Sequence, residues 1–459
     1  MATVGINFGS ATSGAGFDVA TTVASIVAIQ QGIETPWKTQ LTALKAQDTA
    51  LSSIGTDLSA LSTSVAALTN FDGVMVQKQG SSSDPNVLAL SAAGTTAVAG
   101  SHTVTVNQLA QTSSFYTNEA ANATDTLSGS LTIAVGSAKG QTISIDSSNN
   151  TLNTLAAAIN TGSYGVTASV LTDATGSRLS LVSNTSGSAG LITVGSTLSD
   201  TTPSTPKALS FTMGQLGQDA MVNVDGISIT NSSNTVTDAI PGVTFQLLSV
   251  ATGTPVQVQI ANDNSAVETA VQTFVTAYNQ VATDLKTQEG NDSSGNPEPL
   301  YGDPTLSTLQ TQLSGALFSG AASGAIANIT QLGLSVDETG KLSLDVSTLD
   351  AVLNSNFSEV SGFLQNAASF GQSFTTTLNN IGTSSTTSVI SLAQAQNAAV
   401  ETQLNNNVTN EDALIATNKT NLTTELNTAN QVLQGIPTQL TEINEIYSAV
   451  TGYNQTPSG

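Results

Sequence analysis

The hydrophobic period changes twice along this chain, and that constrains its fold more than any other feature. From Trp37, apolar residues recur every seventh position, at Trp37, Leu44, Leu51, Leu58 and Val65. Ile54, Leu61 and Leu68 form a second row. Two such rows make a coiled-coil seam on a helix of roughly 30 residues, ending near Asn70-Phe71-Asp72-Gly73. Upstream, Asp18 is placed to cap a helix carrying Val19, Val23, Ile26 and Val27, interrupted by Gly32 and Pro36. Later, Asp263 and Ser265-x-x-Glu268 form a capping signal. Val267, Val271, Phe274, Tyr278, Val281 and Leu285 follow at spacings of four and three, and the Gly290–Pro299 loop ends that helix. Leu422, Leu426, Ala429, Leu433, Ile436 and Leu440 keep the spacing across an expected break at Gly435-Ile436-Pro437. Leu440, Ile443, Tyr447 and Val450 carry a last short helix.

Between about Val74 and Ala261 the period is two. Val104/Val106, Leu131/Ile133/Val135, Ile143/Ile145, Val166/Ala168/Val170, Leu179/Leu181 and Val256/Val258/Ile260 alternate with Thr, Ser or Gln, as in strands buried on one face. Val222 to Ile229 reads as a hairpin around Asp225-Gly226. Thr151 to Asn160 reads as a helix with Leu152, Leu155, Ala156 and Ile159 on one face. Ile143–Leu152 aligns without a gap on Ile227–Val236, a faint internal repeat whose common origin stays open. The β-rich stretch is thus inserted between helical segments from both ends, which meet as antiparallel neighbours. The expected class is α+β and multidomain, with terminal helical coiled-coil legs and an inserted β-rich head.

Composition narrows the function. Charged residues are 9% of 459, against about 25% in an average soluble protein. Nine Lys+Arg against 32 Asp+Glu leave a net charge of −23. Nucleic acid is an unsuited partner without clustered basic residues. The absence of Cys excludes disulfides and thiolate metal sites, and one His, His102, excludes a two-His motif. An apolar fraction of 39% argues against disorder. The N-terminus lacks the basic region of a secretory signal, and Val19–Ile29 is shorter than the roughly 20 residues of a membrane span, so no membrane insertion is expected.

Catalytic chemistry finds little support. His102 reads as a surface strand residue without an acidic or nucleophilic sequence neighbour. No Asp or Glu sits in a strongly apolar stretch that would raise its pKa. The Gly5–Gly16 glycines lack the strand and Lys of a phosphate loop, and neither Asn291–Gly295 nor Asp337–Asp345 has calcium-loop spacing. The latter reads as a turn between Leu334/Val336 and Leu342/Leu344. No catalytic residue, cofactor or metal is expected. The heptads carry the signal: their outer faces bear Ser, Thr, Asn, Gln and Ala where Glu/Lys pairs are usual, as expected of helices covered by neighbours.

Several segments resemble one family. Gly14-Ala-Gly-Phe-Asp18 with its apolar helix, Ser82-Ser-Asp-Pro-Asn-Val-Leu88 and Gly100–Ala110 are similar to the opening of the flagellar filament-capping proteins (FliD, or hook-associated protein 2). Ser130–Asn160, Gly165-Val-Thr-Ala168 and Gly176-Ser-Arg-Leu179 resemble a repeat shared with flagellins. Asn234–Val243, Phe274-Val-Thr-Ala-Tyr-Asn279, Gly302-Asp-Pro-Thr-Leu306 and Gly333–Leu342 complete the series in family order. One departure is the C-terminal helix, usually rich in Arg and Lys, where Leu404–Leu433 has only Lys419.

The resemblance implies a secreted cap at the distal filament tip, an assembly of several copies that retains exported flagellin and promotes its polymerisation. Adhesion would be a possible second role. A surface adhesin or hook–filament junction protein is the alternative, and a secreted enzyme the weakest reading. Implied partners are further copies, flagellin, the flagellar type III export apparatus, an export chaperone at the C-terminal region and junction proteins. The expected domains are 1–36 with 385–459 (terminal coiled coil), 37–72 with 262–384 (helical leg), 73–112 with 217–261 (inner head) and 113–216 (outer head). Expected contact residues are Val23, Ile26, Val27, Trp37, Leu44, Leu51, Ile54, Leu58, Leu61 and Val65 near the start. Leu422, Leu426, Leu433, Leu440, Ile443 and Tyr447 are their counterparts near the end.

Overall fold

The computed structural model describes residues 14–452. Gly5, Gly9 and the N-terminal residues read above for a secretory signal therefore lie outside the described residues. Eight α-helices occur among those described: α1 (Val19–Gln31), α2 (Thr35–Thr69), α3 (Leu152–Thr161), α4 (Asn264–Gln288), α5 (Pro304–Ala316), α6 (Val346–Gln365), α7 (Phe370–Ile381) and α8 (Val389–Thr451). The class is mixed, with helices at both ends and strands in the middle. The chain divides into a helical unit, from residues up to Thr69 and from Ala270 onward, and a β-rich unit, Asn70–Thr269.

In the helical unit, local chemistry starts and stops the helices as expected. Asp18 Oδ1 accepts the Thr21 N–H at 3.1 Å, so α1 begins at Val19, and Gly32 ends it. Pro36 sits in the first turn of α2, where a missing N–H costs nothing. That helix runs 35 residues to Thr69. Asp263 Oδ1 accepts the Ala266 N–H at the head of α4. α1 and α2 both pack on α8. Gln394 Nε2 donates to Ser52 Oγ at 2.9 Å and Asn397 Nδ2 to Asp48 Oδ1 at 2.8 Å, so α2 and α8 run antiparallel.

One expectation fails here. The Gly435-Ile436-Pro437 segment does not break the helix; α8 continues through Pro437 for 63 residues. Proline removes one N–H and crowds the carbonyl four residues back, a cost of about 3 kcal/mol that intact turns on both sides can absorb. Gly14 lies directly against the Pro437 ring, since a Cβ there would fall 2.9 Å from Pro437 Cγ.

The β-rich unit holds two cores. The inner one lies between a five-stranded sheet, in the order Lys78–Ser82, Val256–Asn262, Gly100–Gln108, Ala220–Val224 and Ile227–Asn231, and a three-stranded sheet of Thr235–Ile240, Val243–Leu247 and Leu88–Ala93. Leu88, Val104, Val106, Val222, Phe245 and Val258 fill it. Nested within that segment of chain is the outer core. Its four-stranded sheet has the order Phe211–Gln215, Thr112–Thr117, Ser177–Ser186, Val166–Thr172, beside a three-stranded sheet of Ile192–Ser196, Ser130–Val135 and Gln141–Ser144. α3 supplies Leu152, Leu155, Ala156 and Ile159 to the outer core. Asp225 and Gly226, at φ 49° and 87°, make the two-residue turn that the right-handed strand twist favours. The two segments of the faint repeat differ: Ile143–Leu152 leads into α3, whereas Ile227–Val236 leads from one strand into another.

Candidate functional site

The candidate surface is formed by α1, α2 and α8. Val23, Leu51, Ile54, Leu58, Leu61 and Val65 are buried inside the helical unit itself. Ile26, Val27, Trp37, Leu44, Leu422, Leu426 and Leu433 are half-buried. Leu440, Ile443 and Tyr447 stand exposed at 40%, 60% and 53%. Leu41, outside both predicted rows, is buried as well. Its heptad relatives are Asp48 and Gly55, so no apolar repeat announced it. Gly55 is buried because α2 comes close to the 382–388 loop there; a Cβ would lie 2.8 Å from Thr383 Cγ2.

Behind this surface, α4, α6 and α7 lock together through aromatic rings. Phe274 meets Phe374 edge-on at 5.4 Å, and Phe363 stacks on Phe370 at 5.3 Å. Tyr278 lies beside Phe274, and burial pushes its hydroxyl up to about 12, so it stays protonated. With Leu285 and Leu313 it lines a cavity of about 250 Å³, to which Lys286, Gln310, Thr311 and Ser314 also contribute.

Two acids of the helical unit illustrate opposite effects of their surroundings. Glu34, fully buried between α1 and α2, takes an ion pair from Lys38 at 2.6 Å, which holds its carboxyl below the ordinary range. Asp57 of α2 faces Asp284 of α4, and burial, reinforced by that second carboxylate, pushes Asp57 up to about 6. This corrects the expectation that no acid sits where its pKa would rise: the apolar surroundings come from other helices, not from the neighbours in sequence. In the β-rich unit, His102 also gains a distant partner, Asp225 Oδ2 at 2.7 Å from its Nδ1. Asp225 Oδ1 accepts the Thr103 N–H, which together with His102 lowers its carboxyl. The pair clasps the hairpin turn to the neighbouring strand. Among the described residues no cluster of three metal-binding side chains occurs, and no helix is long and apolar enough to cross a membrane.

Residues 15–113 match the family described as flagellar hook-associated protein 2 N-terminus, and residues 217–449 its C-terminus. The chain belongs to the flagellar hook-associated protein 2 family. Between these parts, residues 130–185 match the flagellin hook IN motif. The B-type flagellar hook-associated protein 2 of Pseudomonas aeruginosa is 30% identical over 322 residues, 64% of this chain and 67% of the relative. The flagellar hook-associated protein 2 of Escherichia coli is 29% identical over 375 residues, 76% and 79% of the two chains. The crystal structure of the D1-D2-D3 domains of the flagellar cap protein FliD from Escherichia coli superposes with a TM-score of 0.57 at 28% identity. It covers 76% of this chain and 99% of that one.

The motifs that carry the family resemblance have physical roles here. Gly14 and Gly16 take φ 65° and 66° where the chain crosses α8, and the Phe17 N–H donates to Asn430 Oδ1 at 2.8 Å. Three motif asparagines act as strand fragments, each side-chain amide accepting an N–H and donating to the C=O of one residue. Asn160 serves Ala168, Asn234 serves Ala110 and Asn279 serves Leu342, all at 2.7–3.0 Å. Sequence inspection missed this function because the partners lie up to 124 positions away.

Proposed function

We propose that this protein caps the distal end of a bacterial flagellar filament as an assembly of several copies, retaining exported flagellin and promoting its polymerisation. Membership of the hook-associated protein 2 family, joined to the bare apolar end of α8, carries this reading. A helix that keeps Ile443 and Tyr447 in water gains by covering them against a neighbour, at about 25 cal/mol per Å² of apolar area. Contacts through Ser, Thr and Asn suit a cap that must break and remake them as subunits arrive. Besides flagellin, the partners are the type III export apparatus, a chaperone at the C-terminal region and the hook–filament junction proteins. Adhesion through the β-rich unit is a secondary role, and no catalytic chemistry is required.

Deletion of the gene tests the reading. Unpolymerised flagellin in the medium and absent or stunted filaments are expected. Filaments of normal length with reduced surface attachment would replace capping by adhesion.

A further inference from the structure

The four-stranded sheet of the outer core has two edges, and they are finished differently. At the Val166–Thr172 edge, Asn160 Oδ1 accepts the Ala168 N–H and Asn160 Nδ2 donates to the Ala168 carbonyl, both at 2.7 Å. An incoming strand would find those peptide groups already taken. At the opposite edge, Asn118 holds only the entrance, accepting the Ser210 N–H at 2.7 Å and donating to the Ala208 carbonyl at 3.1 Å. Beyond it no strand among the described residues lies outside Phe211–Gln215. The Asn118 N–H donates inward to the Ser210 carbonyl. Antiparallel alternation then turns the N–H and C=O of Phe211 and Met213 toward the open side.

The side chains there suit one kind of occupant. Phe211 is half-buried against the outer core, and Met213, on the same face of the strand, is 48% exposed. No charged residue occurs from 208 to 218, although the chain carries a net charge of −23. Along this edge two copies can therefore meet without desolvating charge. The strand is also complementary to itself: laid antiparallel, the apolar Phe211 falls opposite the apolar Met213 of the partner subunit, and the reverse.

We propose that the Phe211–Gln215 strand is the docking edge for the same strand of a second copy, paired antiparallel about a twofold axis through Thr212. The two four-stranded sheets then become one of eight strands, ended on both sides by Asn160. Those stoppers limit the assembly to a pair where two open edges would have propagated. The register shift between Met213 and Gln215 bends the strand away and keeps the shared ladder short, so the pair forms at high protein concentration. This surface is independent of the capping function.

Because the chain has no Cys, a single engineered thiol reports the geometry. Thr212 meets Thr212 of the partner subunit as a non-hydrogen-bonded pair, with Cα atoms about 4.5 Å apart and within disulfide range. Full-length Thr212→Cys under mild oxidation is expected to form a covalent dimer at least tenfold faster than Leu171→Cys, an exposed position at the stoppered edge. Adding Met213→Lys should remove that advantage by placing charges across the twofold axis. Crosslinking of Thr212→Cys no faster than Leu171→Cys would overturn the proposal. So would a rate that Met213→Lys leaves unchanged while the thermal melt shows the variant folded.

Discussion

The two units of this protein meet the same shortage of charge in opposite ways. The helical unit is held by large side chains from distant parts of the sequence, above all the rings of Phe274, Phe363, Phe370 and Phe374. Its acids include one, Asp57, that is pressed against another carboxylate. The β-rich unit has cores mainly of Val, Ile and Leu, with Phe245 in the inner one. Among the described residues it holds no acid raised as Asp57 is, and its turn acids behave like Asp292, Asp337 and Asp345 of the helical unit. Asp146, Asp173 and Asp225 accept the backbone N–H groups of Ser148, Thr175 and Thr103, and these bonds lower their carboxyls. Neutral polar residues therefore serve different ends: in one unit they coat helices, and in the other they complete strands. Disturbance should separate the units by side-chain volume, by amide geometry and by pH.

The largest separation is expected from Phe374→Ala. Emptying the centre of the aromatic cluster should cost about 3–5 kcal/mol in urea unfolding, with hydrogen exchange accelerated in α4 and α7 and unchanged around Phe245. Asn160→Ala reverses the pattern. It leaves the Ala168 N–H and C=O without their partner and should cost about 1–3 kcal/mol, with exchange accelerated around α3 and the Val166–Thr172 strand and unchanged in α4 and α7. A comparable loss in both units would show that they are coupled rather than separately built.

The pH response should differ in sign. Asp57 titrates near 6 when folded against an ordinary 3.8, so the folded helical unit binds the extra proton. Its stability therefore rises as pH falls from about 7 toward 4, by about 1 kcal/mol once solvent screening of a half-exposed pair is allowed for. Asp57→Asn should abolish that rise. The turn acids of the β-rich unit have lowered values, so they leave stability unchanged in this window and reduce it only below the ordinary carboxylate range. Unit-resolved hydrogen exchange at pH 5 and pH 7 distinguishes the two. The smallest effect belongs to Asp18→Ala, which removes the α1 cap; a loss of about 1 kcal/mol confined to α1 is expected from its exchange rates.

Much of the architecture was legible because its causes are local. Asp18, Thr151 and the Asp225-Gly226 turn act on neighbours within four positions, and the Leu51–Leu68 rows and the alternating strands each declare a buried face. What escaped depends on partners distant in sequence. Pro437 reads as a helix breaker because proline's cost is local, whereas the turns that continue α8 past it extend far on both sides. Asp57 looks ordinary in Gly55-Thr-Asp57-Leu until α4 brings Asp284 against it. Leu41 lacks an apolar repeat, and the Asn234 and Asn279 amides reach backbone 124 and 63 positions away. The heptad rows mark which helices associate, but the same leucines can close a unit on itself or join two copies. In this chain Leu51–Val65 face inward, and the bare apolar end is the last part of α8.

Immunogold imaging of intact filaments, with antibody raised against the β-rich unit, tests the capping function most directly. Label confined to the distal tip of each filament is the predicted result. Label spread along the filament, or restricted to its base at the hook, would contradict it.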